Sequence, residues 1–398
     1  MDTALSGESA TRFTSRMAGP VGVASLEHFL QPRWVLGAYT AFRNPSEKRR
    51  LATLKTATEL VMQVINSQRS RFGNLHLRMG TETFNDHSHF LKPDKIVGLE
   101  LVVTSDRSFI QKFITESKPT YLTLINFPPK SIDMGWDNVT HAVLGYLYLE
   151  EYIEVLQRAP ALEYCHVYNL KGAWYGPMFD SNTVIIHPQL RLLNSVHDAD
   201  DFLDIINVPS LEEWTHTMDN GQPDCVTMIS LLKRSKCSLK VLNLDGGLNF
   251  PQDLYALLQA MPSLERLSLG FEWKPKDSVI MDDILTRISR TTPSSQVSLS
   301  AEGPILGSFL PHLLFLECGA NSESISPFTW DRIPQLYHRG HRRSLTLSSW
   351  AHESHISDET ALKLLHLVEE GGDLQVRDLE TRGNFLENFR NRMNGESR

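Results

Sequence analysis

An α/β solenoid of parallel strands is the fold class this 398-residue chain predicts, on three observations. An apolar triplet, L-x-x-L-x-L, recurs along most of the sequence. Its first positions run from 72 to 342 in eleven steps, about 24.5 residues each, inside the roughly 20–29 residue period of leucine-rich repeats. Amphipathic helical stripes lie between the triplets. Together they predict an irregular leucine-rich-repeat horseshoe, with parallel strands on the concave face and helices or loops on the convex face.

The triplets are taken in chain order. "RFGNLHLRM" supplies Phe72, Leu75 and Leu77, and "KIVGLELVV" supplies Ile96, Leu99 and Leu101. "KPTYLTLINF" gives Leu122 and Leu124, and "NVTHAVLGY" gives Val139, Ala142 and Leu144. In "APALEYCHV" the positions fall on Leu162, Cys165 and Val167; "HPQLRLLNS" gives Leu190 and Leu193, and "VPSLEEWTH" gives Leu211 and Trp214. "KCSLKVLNLD" (Leu239, Leu242, Leu244) and "MPSLERLSLG" (Leu264, Leu267, Leu269) are the fullest copies. Val297 with Leu299, "LPHLLFLEC" (Leu313, Leu316, Cys318) and Leu345 with Leu347 complete the series. Alternate strand side chains share a face, so the second and third apolar positions point inward together. Proline two residues before the first position is expected to preset an extended start to the strand.

Between strands, "PQDLYALLQAM" spaces Leu254, Leu257, Leu258 and Met261 as a helical stripe. "SDETALKLLHLVEEGG" has Ser357 as N-cap, Leu362, Leu365 and Val368 or Leu367 inward, and Gly371 and Gly372 as stop. The Asn or Cys expected three residues after the third leucine is mostly missing, so the turns must be built case by case. Four regions follow: residues 1–20, expected to be disordered; 21–66, a helical segment capping the array, its helix at 46–66; 67–380, the solenoid; and 381–398, a C-terminal helix or tail.

Bulk properties narrow the function. Hydrophobic residues make up 41% and charged residues 22%, as in an ordinary well-cored protein. A net charge of −8 and a pI near 6.0 offer no basic field for nucleic acid or an anionic membrane. Cys165, Cys225, Cys237 and Cys318 are scattered, which reads as a reducing compartment and apolar core positions. The first twenty residues lack an apolar signal core, and no apolar run reaches the roughly 18–20 residues that cross a bilayer. The sequon Asn138-Val-Thr140 matters only in a secreted protein. An intracellular monomer, cytoplasmic or nuclear, is the expectation.

Three stretches carry a family resemblance: "FTWDRIPQLYHRGHRRSLTL" (328–347), "ISDETALKLLHLVEEGGDLQV" (356–376) and "NVTHAVLGYLYLEEYIEVLQRAPALEYCHV" (138–167). They resemble an expanded group of F-box-like, leucine-rich-repeat proteins of mushroom-forming fungi, over about residues 60–390. The resemblance implies an F-box that recruits the Skp subunit of a cullin–RING ubiquitin ligase, with repeats that hold the protein to be ubiquitinated. Residues 1–60 hold neither the L-P-x-E start nor the V-C-[KR]-x-W continuation of that box; "SLEHFLQPRWVLGAYTAF" (25–42) is the nearest segment.

Chemical motifs are sparse. The cluster His338, Arg339, His341, Arg342 and Arg343 has no aromatic platform beside it and reads as a solvated loop shoulder. Asp86-His87-Ser88-His89 and His352-x-x-His355 are the close histidine pairs, each short of the further ligands a metal site needs. A hydrolase or metal-dependent enzyme using them is the weakest reading, and no catalytic residue, cofactor or metal is assigned. The positions between the leucines carry the site expectation. Tyr121, His141 and Tyr164 fall in one column on three successive strands, with His166 and Tyr168 along the third, and "KGAWYGPMF" (171–179) follows as a rim. Such rings combine contact area with a polar tip, the chemistry of binding hot spots. The function expected is non-enzymatic display of this surface to a protein partner.

Overall fold

In a computed structural model the structure describes residues 35–37, 73–87, 95–105, 110–171, 184–196, 200–217, 224–246, 251–271, 278–290, 309–320, 330–336, 344–349, 356–378 and 383–395. The expectations for residues 1–20, the 46–66 helix, the triplet at Val297 and Leu299, residues 338–343, His352 and His355 lie outside these residues.

One open parallel sheet organises the chain. Its first strands are β1 (Val35–Gly37), β2 (Asn74–Met79), β3 (Gly98–Val103), β4 (Tyr121–Ile125), β5 (His141–Gly145) and β6 (Tyr164–Tyr168). Then follow β7 (Leu192–Val196), β8 (Glu213–Thr217), β9 (Val241–Asp245), β10 (Arg266–Phe271), β11 (Phe315–Ala320), β12 (Ser344–Ser349) and β13 (Asp373–Asp378). Spatial order equals chain order: twelve strands from β2 to β13 pair in sequence, and β1 adds a short edge beside β2. Strict succession without reversal is what stacked units produce, giving a solenoid-like α/β arrangement. Within the segment expected to be helical, Val35–Gly37 is thus a strand. β13 was not among the sequence triplets; Leu374 and Val376 hold its apolar positions, with Gly371 where a first leucine would stand.

Register explains the pattern. The second apolar positions oppose one another from Leu75 through Leu99, Leu122, Ala142, Cys165, Leu193, Trp214, Leu242 and Leu267 to Leu316, all fully or nearly buried. Between β11 and β12 the register steps by two, so Leu316 faces Leu347 and not Leu345. A shift of two keeps each side chain on its own side of the sheet, whereas a shift of one would turn every leucine to solvent.

The inward face and the connecting helices share one apolar core. The helices are α1 (Thr81–His87), α2 (Leu149–Arg158), α3 (Asp200–Ile205), α4 (Cys225–Ser235), α5 (Pro251–Gln259), α6 (Ser278–Arg290), α7 (Asp358–Glu369) and α8 (Phe385–Met393). Two-residue strand pairs add to this layer: Phe113–Ile114 with Ile132–Asp133, and Ile185–Ile186 with Ile206–Asn207. Arginines staple neighbouring units. Arg158 in α2 donates to the Pro129 and Ile132 carbonyls (3.1 and 3.0 Å), and Arg234 in α4 donates to the Leu203 and Ile206 carbonyls.

Several local expectations change. The upstream prolines do not preset an extended approach; they occupy the second position of a tight turn. The Leu162 N–H bonds the Ala159 carbonyl across Pro160, Leu211 bonds Val208 across Pro209, and Leu264 bonds Met261 across Pro262. The proline ring fixes the φ that this turn position requires. In α7, Ser357 caps as expected, accepting from the Thr360 N–H at 3.2 Å. The inward stripe there is Ala361, Leu364 and Leu365, while Leu362 is exposed. Where the repeat motif would place Asn or Cys, Phe127, Leu147 and Leu170 are buried instead. The chain turns one residue earlier, through left-handed Asn126, Tyr146 and Asn169. The free Cys165 and Cys225 are buried and Cys237 is half-buried.

Candidate functional site

A repeated backbone bond places the site. At each strand start, one carbonyl of the preceding unit accepts two successive N–H groups: Thr120 from Thr140 and His141, then Thr140 from Glu163 and Tyr164. Glu163 accepts from Arg191 and Leu192, Arg191 from Glu212 and Glu213, and Glu212 from Lys240 and Val241 in the same way. Corresponding residues of successive units are therefore locked into straight columns.

The first outward column brings together the expected rings. Tyr121 opposes His141, and His141 opposes Tyr164. Their ring centroids are 4.7 and 5.7 Å apart, at interplanar angles of 37° and 32°. The rings lean on one another and leave a row of half-buried polar edges. His141 Nδ1 is held by Thr140 Oγ1 at 2.8 Å. His166 and Tyr168 continue along β6, with centroids 5.4 Å apart. All five expected residues thus form one surface on the face away from the helices.

Tyr168 leans back across β5, where a Cβ on Gly145 would run into its ring. Glycine there admits the close approach of the ring; its backbone angle does not call for it. Beneath it, the buried Tyr152 hydroxyl lies 3.1 Å from both the Leu144 and Tyr168 carbonyls, fixing the ends of β5 and β6. Tyr146 packs edge-on to Tyr168 at 5.8 Å and is 45% exposed. Its φ of 55° is an uncommon backbone state for so bulky a residue. Sequence reasoning missed Tyr146 because its outward aim comes from that left-handed corner, which tyrosine does not signal. Residues 172–179 of the expected rim lie outside the described residues.

Burial disfavours charge on both imidazoles of the patch and on two of its phenols. Burial pulls the His141 imidazole below its usual value, against a smaller opposing pull from Glu163, and burial also lowers His166. Burial raises the Tyr164 phenol, with the Cys165 and Glu213 groups adding to it. Tyr168 is pushed up to about 12, chiefly by burial.

Next to the rings runs a second column that the sequence reading did not single out. The first x of each triplet alternates in sign across five units: Glu163, Arg191, Glu212, Lys240, Glu265. Arg191 pairs with Glu212 at 2.6 Å, and Lys240 reaches the same carboxylate at 3.4 Å. These two cations hold the Glu212 carboxyl below the usual range, the Arg191 hydrogen bond most of all. Between this rim and the sheet lies an open groove of about 320 Å³ crossing β5 to β9, with His141, Tyr164, Leu192, Glu213 and Val241 along its floor. Stacking the triplets under one another would have revealed the alternation.

Among the described residues no three His, Cys, Asp or Glu side chains come together as metal ligands, and no helix is long and apolar enough to cross a membrane. Compared with models of known protein families and with curated proteins, the chain matches none.

Proposed function

We propose that this chain is a leucine-rich-repeat horseshoe that acts without catalysis, presenting its open strand face to a protein partner. The observation carrying this reading is the contiguous surface of Tyr121, His141, Tyr164, His166 and Tyr168, extended by Tyr146. Aromatic groups with polar tips, held in register by a rigid sheet, lose little conformational entropy when a partner docks. They stand on strands, so the surface needs little rearrangement to bind.

The test is affinity capture from the source cell with the full chain. A Tyr164→Ala, Tyr168→Ala double variant is expected to lose proteins that the wild type retains, at unchanged melting temperature. Capture of the same set by both proteins would end the reading. Skp and cullin components in the retained set would mark the ligase substrate receptor that the family resemblance suggests; another reproducible partner would mark a free-standing binder.

A further inference from the structure

The groove beside the rings contains a carboxylate without a partner among the described residues. Glu213 opens β8 and lies half-buried on the groove floor between Leu192 and Val241, its register partners on either side. Among the described residues its side chain makes no hydrogen bond and no ion pair. The nearby cations make no ion pair with it: Arg191 and Lys240 both bind Glu212, and the Arg266 guanidinium, 4.4 Å over the Phe315 ring, attracts it only from a distance. Burial raises the Glu213 pKa, with Arg266 only partly offsetting it, so the carboxylate is held at a cost to the folded state. Glu163 on the rim likewise has no such partner among the described residues. The groove therefore carries three carboxylates against two cations, and the two unsatisfied groups are both acidic.

Its shape adds a second constraint. Neighbouring strands lie about 4.8 Å apart, so crossing from β5 to β9 covers about 19 Å, the length of about six extended residues. We propose that the groove takes an extended, basic segment of a protein partner, with an arginine or lysine cation on Glu213. The stem of that side chain lies along Leu192 and Val241, and a neighbouring partner residue packs on His141 and Tyr164. This deepens the display reading and rests on it: the rings supply contact area, and Glu213 selects the charge. A long basic side chain suits such a floor because its methylenes cover apolar surface while its head reaches the carboxylate.

The experiment screens an array of random twelve-residue peptides with the full-length protein, then measures the best binder in solution. Binders are expected to be enriched in arginine and lysine. Glu213→Gln is expected to weaken the best peptide about tenfold without lowering the melting temperature. Replacing the peptide's critical arginine by citrulline should weaken the wild type by the same factor and leave Glu213→Gln unaffected. Binders without basic enrichment, equal affinity for wild type and Glu213→Gln, or no binders at all would overturn the assignment. The two readings separate cleanly. Loss of peptide binding in Tyr164→Ala, Tyr168→Ala with none in Glu213→Gln would keep the display surface and remove the cation site. A peptide bound equally by wild type, by the tyrosine variant and by Glu213→Gln would remove both.

Discussion

At the level of single residues, one inward column holds two adjacent polar positions among its apolar ones. In the column of third apolar positions, Leu77, Leu101, Leu124, Leu144 and Val167 give way to Ser195 and His216, both buried, before Leu244 and Leu269 resume. Ser195 Oγ lies 2.8 Å from His216 Nδ1 and accepts from Trp214 Nε1 at 3.2 Å. His216 Nε2 is buried with no partner among the described residues. Burial alone lowers the imidazole to about 4. An unfolded histidine titrates near 6.5. As pH falls from about 6.5 towards 4, the unfolded chain takes up a proton that the folded chain refuses, so stability is lost through that window. At pH 5 the loss is roughly 2 kcal/mol from this group. Urea titrations at pH 7 and pH 5 should show that a Ser195→Leu, His216→Leu double variant loses less stability on acidification than wild type. An unchanged difference would contradict the account. His141, His166 and His187 are lowered too and leave a residual dependence of the same sign.

At the level of elements, caps and turns decide where each unit begins and ends. Asp224 Oδ1 accepts from the Val226 and Thr227 N–H groups at 3.0 and 3.3 Å, and Ser357 Oγ serves α7. Replacing either by Ala should cost about 1 kcal/mol. In a chain of stacked units the effect is expected to be local, with faster amide exchange in α4 or α7 and little change in distant strands. Uniform acceleration along the chain would count against near-neighbour stacking. Gly371, at a φ of 91°, closes α7 in a conformation open to glycine at little cost. Composition told less about which side of α7 faces in. Periodicity admitted Leu362, but Ala361, Leu364 and Leu365 form the buried stripe, because the angle at which a helix meets the sheet selects among overlapping stripes.

At the scale of the whole molecule an open sheet has two edges, and the trailing one is covered. After β13 the chain forms an antiparallel bridge from Arg377 to Asn384, then α8 buries Phe385, Leu386 and Phe389. Asn384 caps α8, with its side chain accepting from the Leu386 N–H at 3.1 Å. An uncovered edge strand offers unpaired backbone groups to another chain. A protein lacking 383–398 is expected to self-associate in size-exclusion chromatography at concentrations where the full chain does not. Elution unchanged by the deletion would show that α8 does not protect the edge.

The sequence by itself determined the parallel α/β stacking and the column of rings, because both follow from a period of two along a strand repeated at a nearly constant interval. Tyr121, His141 and Tyr164 could be aligned on paper for that reason, and the alternating Glu163–Lys240 column was equally readable. Only the tertiary structure decided the two-residue step at β12, the left-handed corner that turns Tyr146 outward, and the glycine shelf under Tyr168. It also showed that Arg191 and Lys240 both spend their charge on Glu212 and leave the Glu213 side chain without a partner among the described residues. Those outcomes depend on how neighbouring units fit against each other, and contacts between units separated by twenty or more residues leave no periodic mark on the chain.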